Sequence, residues 1–224
     1  VSAVQKETNK KLPIKIEPVP EDMSWTDISP KGNMASGEMP SVDVMLAIDL
    51  SGSMSGNPTR KAMKAMADFI NQMDSDYTRI GIMAFADDTK VILKPSDDFK
   101  VVHNTISRLE SVNVGICNNA EPFTYCYGIL KGGFLKKESD IKYIVVLTDG
   151  RWSNTSNAIK AAKKCHKAGI EVMALGFGSA DHEFLKKIAS TDEFASITDL
   201  SDLGGSFSKI AQAIGEGSTG LSVL

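Results

Sequence analysis

Cysteine is scarce in this chain, with only 3 in 224 residues. Cys117, Cys126 and Cys165 show no paired CxxC spacing of the kind that holds a metal. Their odd number argues for a reducing compartment and buried thiols, with a Cys117–Cys126 bridge as the alternative. Histidine is as sparse: His103, His166 and His182 fall singly on helical stretches, in surface or capping places. Long apolar runs are missing too. Tyr143–Leu147 is among the longest, far short of the roughly 20 residues that cross a bilayer as a helix. A net charge of −3, a pI near 5.7 and the lack of any basic block interleaved with aromatics exclude a nucleic-acid surface. The first residues are polar and charged and carry no apolar signal core. Cytoplasmic placement is the expectation, with a surface or extracellular one as the alternative because the chain begins without Met.

What is present is ordinary globular material, 42% hydrophobic and 24% charged, enough for one large domain with extensions. Residues 1–40 form an extension, in which Pro13, Pro18, Pro20, Pro30 and Pro40 forbid a long helix. Leu12–Val19 reads there as an edge strand, and Trp25 and Ile28 as the side chains that fold the arm onto the body. The body spans residues 41–214, and residues 215–224 read as a Gly/Ser-containing tail.

Within the body, strands and helices alternate. Val42–Ile48 is a buried strand. Pro58–Met73 is a helix, since Met63, Met66, Phe69, Ile70 and Met73 recur at steps of three and four and belong to a core. Arg79–Phe85 and Thr89–Leu93 are two strands of a hairpin turning at Ala86-Asp87-Asp88. A helix over residues 98–109 turns Val101, Val102, Ile106 and Leu109 inward. An irregular loop over residues 111–123 leads to a helix from Phe123 to Leu135. Lys142–Leu147 is apolar on both faces, as a central parallel strand would be. Thr155–Lys167 is a helix closed by Gly169. Ile170–Leu175, a short helix over Asp181–Ala189, a strand over Phe194–Ile197 and a helix over Leu203–Ile214 complete the body. The alternation predicts an α/β fold: a doubly wound, mostly parallel sheet with one antiparallel edge strand, flanked by helices.

Chemistry concentrates where strands end. Val44–Ile48 runs apolar and then breaks into Asp49-Leu50-Ser51-Gly52-Ser53-Met54-Ser55-Gly56. Asn57 suits an N-cap and Pro58 the first helical turn that follows. Asp149 closes the central strand in the same way, in Thr148-Asp149-Gly150. Both carboxylates therefore fall on the carboxyl edge of the sheet, where open α/β sheets bind ligands. Two carboxylates facing each other repel unless a proton or a cation lies between them. The hydroxyls of Ser51 and Ser53 add oxygen donors that suit a hard cation such as Mg²⁺.

Asp49-Leu50-Ser51-Gly52-Ser53 resembles the DxSxS signature of the von Willebrand factor type A (VWA) family, and Thr148-Asp149-Gly150 its second acidic element. The likeness runs from Val42 to Ile214. It includes Leu175-Gly176-Phe177-Gly178 before the Asp181–Ala189 helix, as in many bacterial members. The resemblance implies a Rossmann-like fold and a metal-ion-dependent adhesion site. Ser51 and Ser53 would hold Mg²⁺ (or Mn²⁺ or Ca²⁺) through their hydroxyls, with Asp49 and Asp149 acting directly or through water. A protein partner's Asp or Glu would complete the coordination. The family also supplies a threonine from a Gly-Gly-Thr element, and here the sequence departs. Gly115-Ile116-Cys117 stands near that place without one, and Thr124, at a helix start six residues before Leu130, is the candidate. Glu121 is a lesser acidic candidate. Arg151 and Trp152 either rim the site and meet an acidic partner, or are a packed Trp beside an exposed Arg.

Enzymatic readings fare poorly. A G-x-S-x-G elbow would need serine where Met54 stands. An aspartyl phosphotransferase would carry a second Asp where Ser51 stands, and no phosphate-binding G-x-x-x-x-G-K-[ST] occurs. The expectation is a non-catalytic, metal-dependent protein-binding module. A structural module with a vestigial metal site ranks second, and a metal-dependent phosphotransferase or hydrolase last.

Overall fold

The computed structural model describes residues 40–131 and 139–220. The expected edge strand and packing arm lie outside the described residues. Six strands form one sheet: β1 (Val42–Asp49), β2 (Thr78–Phe85), β3 (Thr89–Ser96), β4 (Ile141–Thr148), β5 (Glu171–Gly176) and β6 (Ala195–Ile197). Their order is β3-β2-β1-β4-β5-β6. All neighbours are parallel except β2 and β3, which pair antiparallel and put β3 at the edge. This is the doubly wound sheet the alternation predicted.

Alternate residues of β1 explain the layering. Val42, Val44, Leu46 and Ile48 face one core, and Met45 and Ala47 face the other. Helices α1 (Asn57–Ile70), α2 (Phe99–Ile106) and α6 (Leu203–Gly220) cover the first face; α3 (Phe123–Lys131), α4 (Thr155–Lys167) and α5 (His182–Ile188) cover the second. A strand buried on both sides has no polar face, which is why β1 and β4 read as near-continuous apolar runs. Apart from Asp49 at its end, the exception on β1 is Asp43, fully buried beside Met45 and held by both carboxylate oxygens. Arg79 Nε donates to its Oδ1 at 2.7 Å and an Arg79 amino group to its Oδ2 at 2.9 Å.

Several expectations need correction. Asn57 lies inside α1; the N-cap is Gly56, at φ 80°, a left-handed turn open to glycine. Thr59 supplies the local bond instead, donating from Oγ1 to the Met54 carbonyl at 2.6 Å. Val101 is 41% exposed, because the inward face of α2 is set by Val102 and Ile106, four residues apart. α6 runs on to Gly220 through the expected tail. Gly217 lies within this helix, and a Cβ there would stand 2.6 Å from the Tyr143 hydroxyl. The glycine lets the helix pass close over the Tyr143 hydroxyl. Cys126 and Cys165 are buried, but Cys117 is exposed, and all three are free thiols.

Candidate metal centre

The sheet order reverses between β1 and β4, since β1 continues toward β2 on one side and β4 toward β5 on the other. That switch point opens a crevice beyond the carboxyl ends of the two strands. Asp49 is the last residue of β1 and Thr148 the last of β4. Because Ile48 stands opposite Leu147 in the parallel register, Asp49 and Thr148 are neighbours one step further on.

A hydrogen-bond relay grows from this pair. Thr148 Oγ1 donates to Asp49 Oδ2 at 2.6 Å, and the Ser51 N–H donates to Asp49 Oδ1 at 2.8 Å. Thr148 Oγ1 also accepts from the Trp152 indole N–H at 3.1 Å and the Gly150 N–H at 3.3 Å. Trp152 is itself wedged edge-on against Phe85 and beside Phe184, so its indole is fixed in direction. Across the crevice, Ser53 Oγ donates to Asp149 Oδ1 at 2.8 Å and lies 3.3 Å from Ser51 Oγ. Four of the expected ligand residues, Asp49, Ser51, Ser53 and Asp149, are thus drawn together, the Ser53–Asp149 bond spanning 96 residues of sequence. Asp49, Ser51 and Asp149 are buried while Ser53 is exposed, so the cluster opens to solvent on the serine side.

Two further loops brace the rim. The Phe177–Gly178 turn after β5 caps Asp149, whose carbonyl accepts from the Ser179 N–H at 3.0 Å and the Ser179 hydroxyl at 3.1 Å. The loop before α3 is tied to both acidic loops. The Gly52 N–H donates to the Ile116 carbonyl at 2.9 Å, and the Ser153 N–H to the Asn118 carbonyl at 2.8 Å. Asp87, in the β2–β3 turn, holds that loop from beneath by accepting the Ile116 N–H at 2.9 Å and the Cys117 N–H at 3.2 Å. Those two amides keep the Asp87 carboxyl below its ordinary value.

Electrostatically the cluster is short of positive charge. Burial pushes Asp49 up from the usual 3.8, against the opposing bonds from Thr148 and Ser51, and the nearby Asp149 pushes the same way. Burial also raises Asp149, opposed by the Ser53 hydroxyl. A cation between them would reverse both trends. Among the described residues no three His, Cys, Asp or Glu side chains gather into a metal-binding group. Any ion here would lean on the serine hydroxyl oxygens as well as the two carboxylates. That donor set fits a hard divalent cation.

Thr124 stands apart from this cluster. It is exposed at the start of α3, its hydroxyl donates to Glu121 Oε1, and its N–H donates to Glu121 Oε2 at 3.1 Å. Both residues line a groove along α4 with Ser156, Asn157 and Lys160. The structure does not bring Thr124 into the bonded group around Asp49. Arg151 is exposed and Trp152 buried. The roles missed from sequence are those of Thr148 and Trp152 as supports of Asp49. In the sequence Thr148 is only a flank of Asp149; its place in register with Asp49 is what the one-dimensional pattern hides.

The family model for the von Willebrand factor type A domain matches residues 43–213. The chain belongs to the VWA family. Matrilin-1 of Homo sapiens is 24% identical over 155 residues, covering 66% of this chain and 31% of matrilin-1. The collagen alpha-6(VI) chain of Homo sapiens is 25% identical over 207 residues, covering 89% of this chain and 9% of the collagen. This VWA chain therefore spans under a third of either relative's length. Among solved structures, the vWF domain of the type V pili tip protein from Porphyromonas gingivalis superposes with a TM-score of 0.65 at 14% identity, over 81% of this chain and 97% of that one. Proximal thread matrix protein 1 from the mussel byssus, in a form with a zinc-occupied MIDAS motif, gives 0.65 at 19% identity, over 79% and 46%. These similar proteins come from animals and bacteria alike, so the likeness does not narrow this VWA domain to a bacterial type.

Proposed function

We propose that the rim at the β1–β4 switch point is a divalent-cation site through which this VWA domain captures a carboxylate of a partner protein. The observation that carries the reading is the Ser53–Asp149 bond at 2.8 Å, which closes hydroxyls of one loop onto the carboxylate of another. Asp49, Ser51, Ser53 and Asp149 would hold the ion. The hydroxyl donors are neutral, so an ion held through them, with the two carboxylates acting directly or through water, would stay attractive to an external Asp or Glu. When bound, the ion supplies that electrophilic anchor. Mg²⁺ suits the oxygen donors, and Mn²⁺ and Ca²⁺ share the preference. The zinc-occupied motif of the byssal protein supports a divalent ion at this place in the fold without favouring one species.

The role is one of binding and scaffolding rather than catalysis. Similar proteins named as a pilus tip protein, a pilus adhesin and a byssal thread matrix protein point to a surface or extracellular setting over the cytoplasmic expectation. Among the described residues no helix is long and apolar enough to cross a membrane.

The test is thermal melting of the full chain with EDTA, Mg²⁺ or Mn²⁺. A ligand at a hundredfold its Kd stabilises the folded state by about 2.7 kcal/mol. For a chain of this size that raises Tm by roughly 5–10 °C. Asp49→Ala should abolish the shift while the protein still melts cooperatively. A pull-down of partners that survives EDTA would defeat the capture reading. The lack of any metal shift in the unaltered protein would leave a structural module.

A further inference from the structure

We infer that the side-chain oxygen of Asn118 is the third-segment donor to this cation, in place of a threonine hydroxyl. The inference rests on the cation-site reading above. Among the described residues, Asn118 Oδ1 is the one buried side-chain nitrogen or oxygen that finds no hydrogen-bond partner. A buried amide oxygen is rarely left unpaired in a native fold, and such an orphan calls for a ligand.

Its position makes the ligand specific. The Asn118 carbonyl is bonded to the Ser153 N–H, and Ile116, two residues earlier, is bonded to the Gly52 N–H. The residue is therefore pinned between the loop that carries Ser51 and Ser53 and the loop that carries Asp149. Its carboxamide lies against the residue next to Asp149, since a Cβ on Gly150 would stand 2.5 Å from Asn118 Nδ2. The absent side chain at Gly150 is what admits the carboxamide to the rim. The loop cannot drift away, because Asp87 takes the Ile116 and Cys117 amides while the Ala86 carbonyl accepts the Asn119 and Ala120 N–H groups at 3.0 and 2.8 Å.

The rival donors are spent or unsuited. Thr124 gives its hydroxyl to Glu121 on the α4 groove, and Glu121 takes Thr124 with both carboxylate oxygens. Cys117 is exposed and offers a soft sulfur, which hard cations disfavour. A carboxamide oxygen is hard and neutral. It adds a donor without adding charge, so the ion keeps its pull on an external carboxylate.

Mn²⁺ titrated calorimetrically into the unaltered chain and its Asn118→Ala, Asn118→Asp, Thr124→Val and Asp49→Ala variants separates these assignments. Loss of even an outer-shell partner of a metal costs about 10–100-fold in affinity, so Asn118→Ala should weaken Mn²⁺ by at least about tenfold. Thr124→Val should bind as the unaltered chain does. If Asn118→Ala fails to fold, Asn118→Asp decides: the added carboxylate at a true ligand position tightens Mn²⁺, and unchanged affinity overturns the inference. As a second readout, Mn²⁺ should broaden the Asn118 side-chain NH₂ resonances in the unaltered chain; sharp signals under saturating Mn²⁺ overturn it. Asn118→Ala binding normally while Asp49→Ala abolishes binding removes Asn118 and leaves the cation site standing. An unaltered chain that binds no Mn²⁺ brings down both.

Discussion

Replacing Thr148 by valine isolates one atom. The hydroxyl of Thr148 donates to Asp49 and accepts from the Trp152 indole and the Gly150 amide. Valine keeps the branched shape at the end of β4 and favours strands as much as threonine does, so backbone propensity predicts no loss. The loss comes from two buried groups. Asp49 forfeits a donor, a bond to a charged acceptor that contributes about 1.5–3 kcal/mol. The indole N–H of Trp152, a residue only 5% exposed, is left unpaired at a further cost of about 1–3 kcal/mol. Partial relaxation brings the sum to about 3–5 kcal/mol, or roughly 6–20 °C in Tm for a chain of this size. Equilibrium urea unfolding in EDTA measures it. Repeating the substitution in an Asp49→Ala background removes the acceptor, so Thr148→Val should there cost less by about 1.5–3 kcal/mol. A Thr148→Val cost below about 1 kcal/mol, or an equal cost in both backgrounds, would refute the relay.

Asp43→Ala strips a buried carboxylate from an Arg79 side chain that is 24% exposed, and should cost about 3 kcal/mol in urea unfolding. The combined Asp43→Leu, Arg79→Met variant should come close to neutral, as apolar replacements of buried ion pairs often do. Cys117 alone should react with a thiol reagent in the native protein at pH 8. Burial holds the Cys165 thiol up to about 12 and Cys126 well above the usual 9.0, so both should react only after unfolding; fast native labelling at either would contradict the buried placement. Asp149→Asn addresses pH. Burial raises Asp149 above 3.8 in the folded state, so its favourable contribution is complete below that value and is lost as pH rises through the folded value. In EDTA at pH 7 the asparagine variant should therefore melt higher than the unaltered chain, and the gap should close as the pH approaches 4. A gap that widens on acidification would reverse the sign of the argument.

The fold was legible because its central strands are buried on both faces. Val44–Ile48 and Tyr143–Leu147 leave no polar side to confuse with an amphipathic helix, and the helices between them fix parallel pairing. Two short stretches misled for identifiable reasons. Asn57 and Pro58 satisfy the rules for a helix start, but the chain reverses one residue earlier at Gly56 in a left-handed conformation. The glycines of residues 215–220 look like punctuation, whereas Gly217 marks a helix passing close over Tyr143.

The site was legible in part, for a reason rooted in how its residues meet. Asp49, Ser51 and Ser53 share one loop, so their spacing alone groups them. Asp149 joins them because Asp49 closes β1 and Asp149 directly follows β4, both at the carboxyl ends of central strands. Asn118 and Thr148 carry no such local signature. Thr148 matters through a register one step past Ile48 and Leu147, and Asn118 through backbone bonds that two other loops make to its own. Helical phase drew attention to Thr124 because α3 is the next regular element, yet phase locates only residues on the helix. The rim is reached by the irregular loop before it, whose path is set from outside by Asp87 accepting two of its amides. A donor delivered by a loop that another loop shapes has no period to betray it. It shows itself instead as a buried side-chain oxygen without a hydrogen-bond partner, Asn118 Oδ1, which only three dimensions reveal.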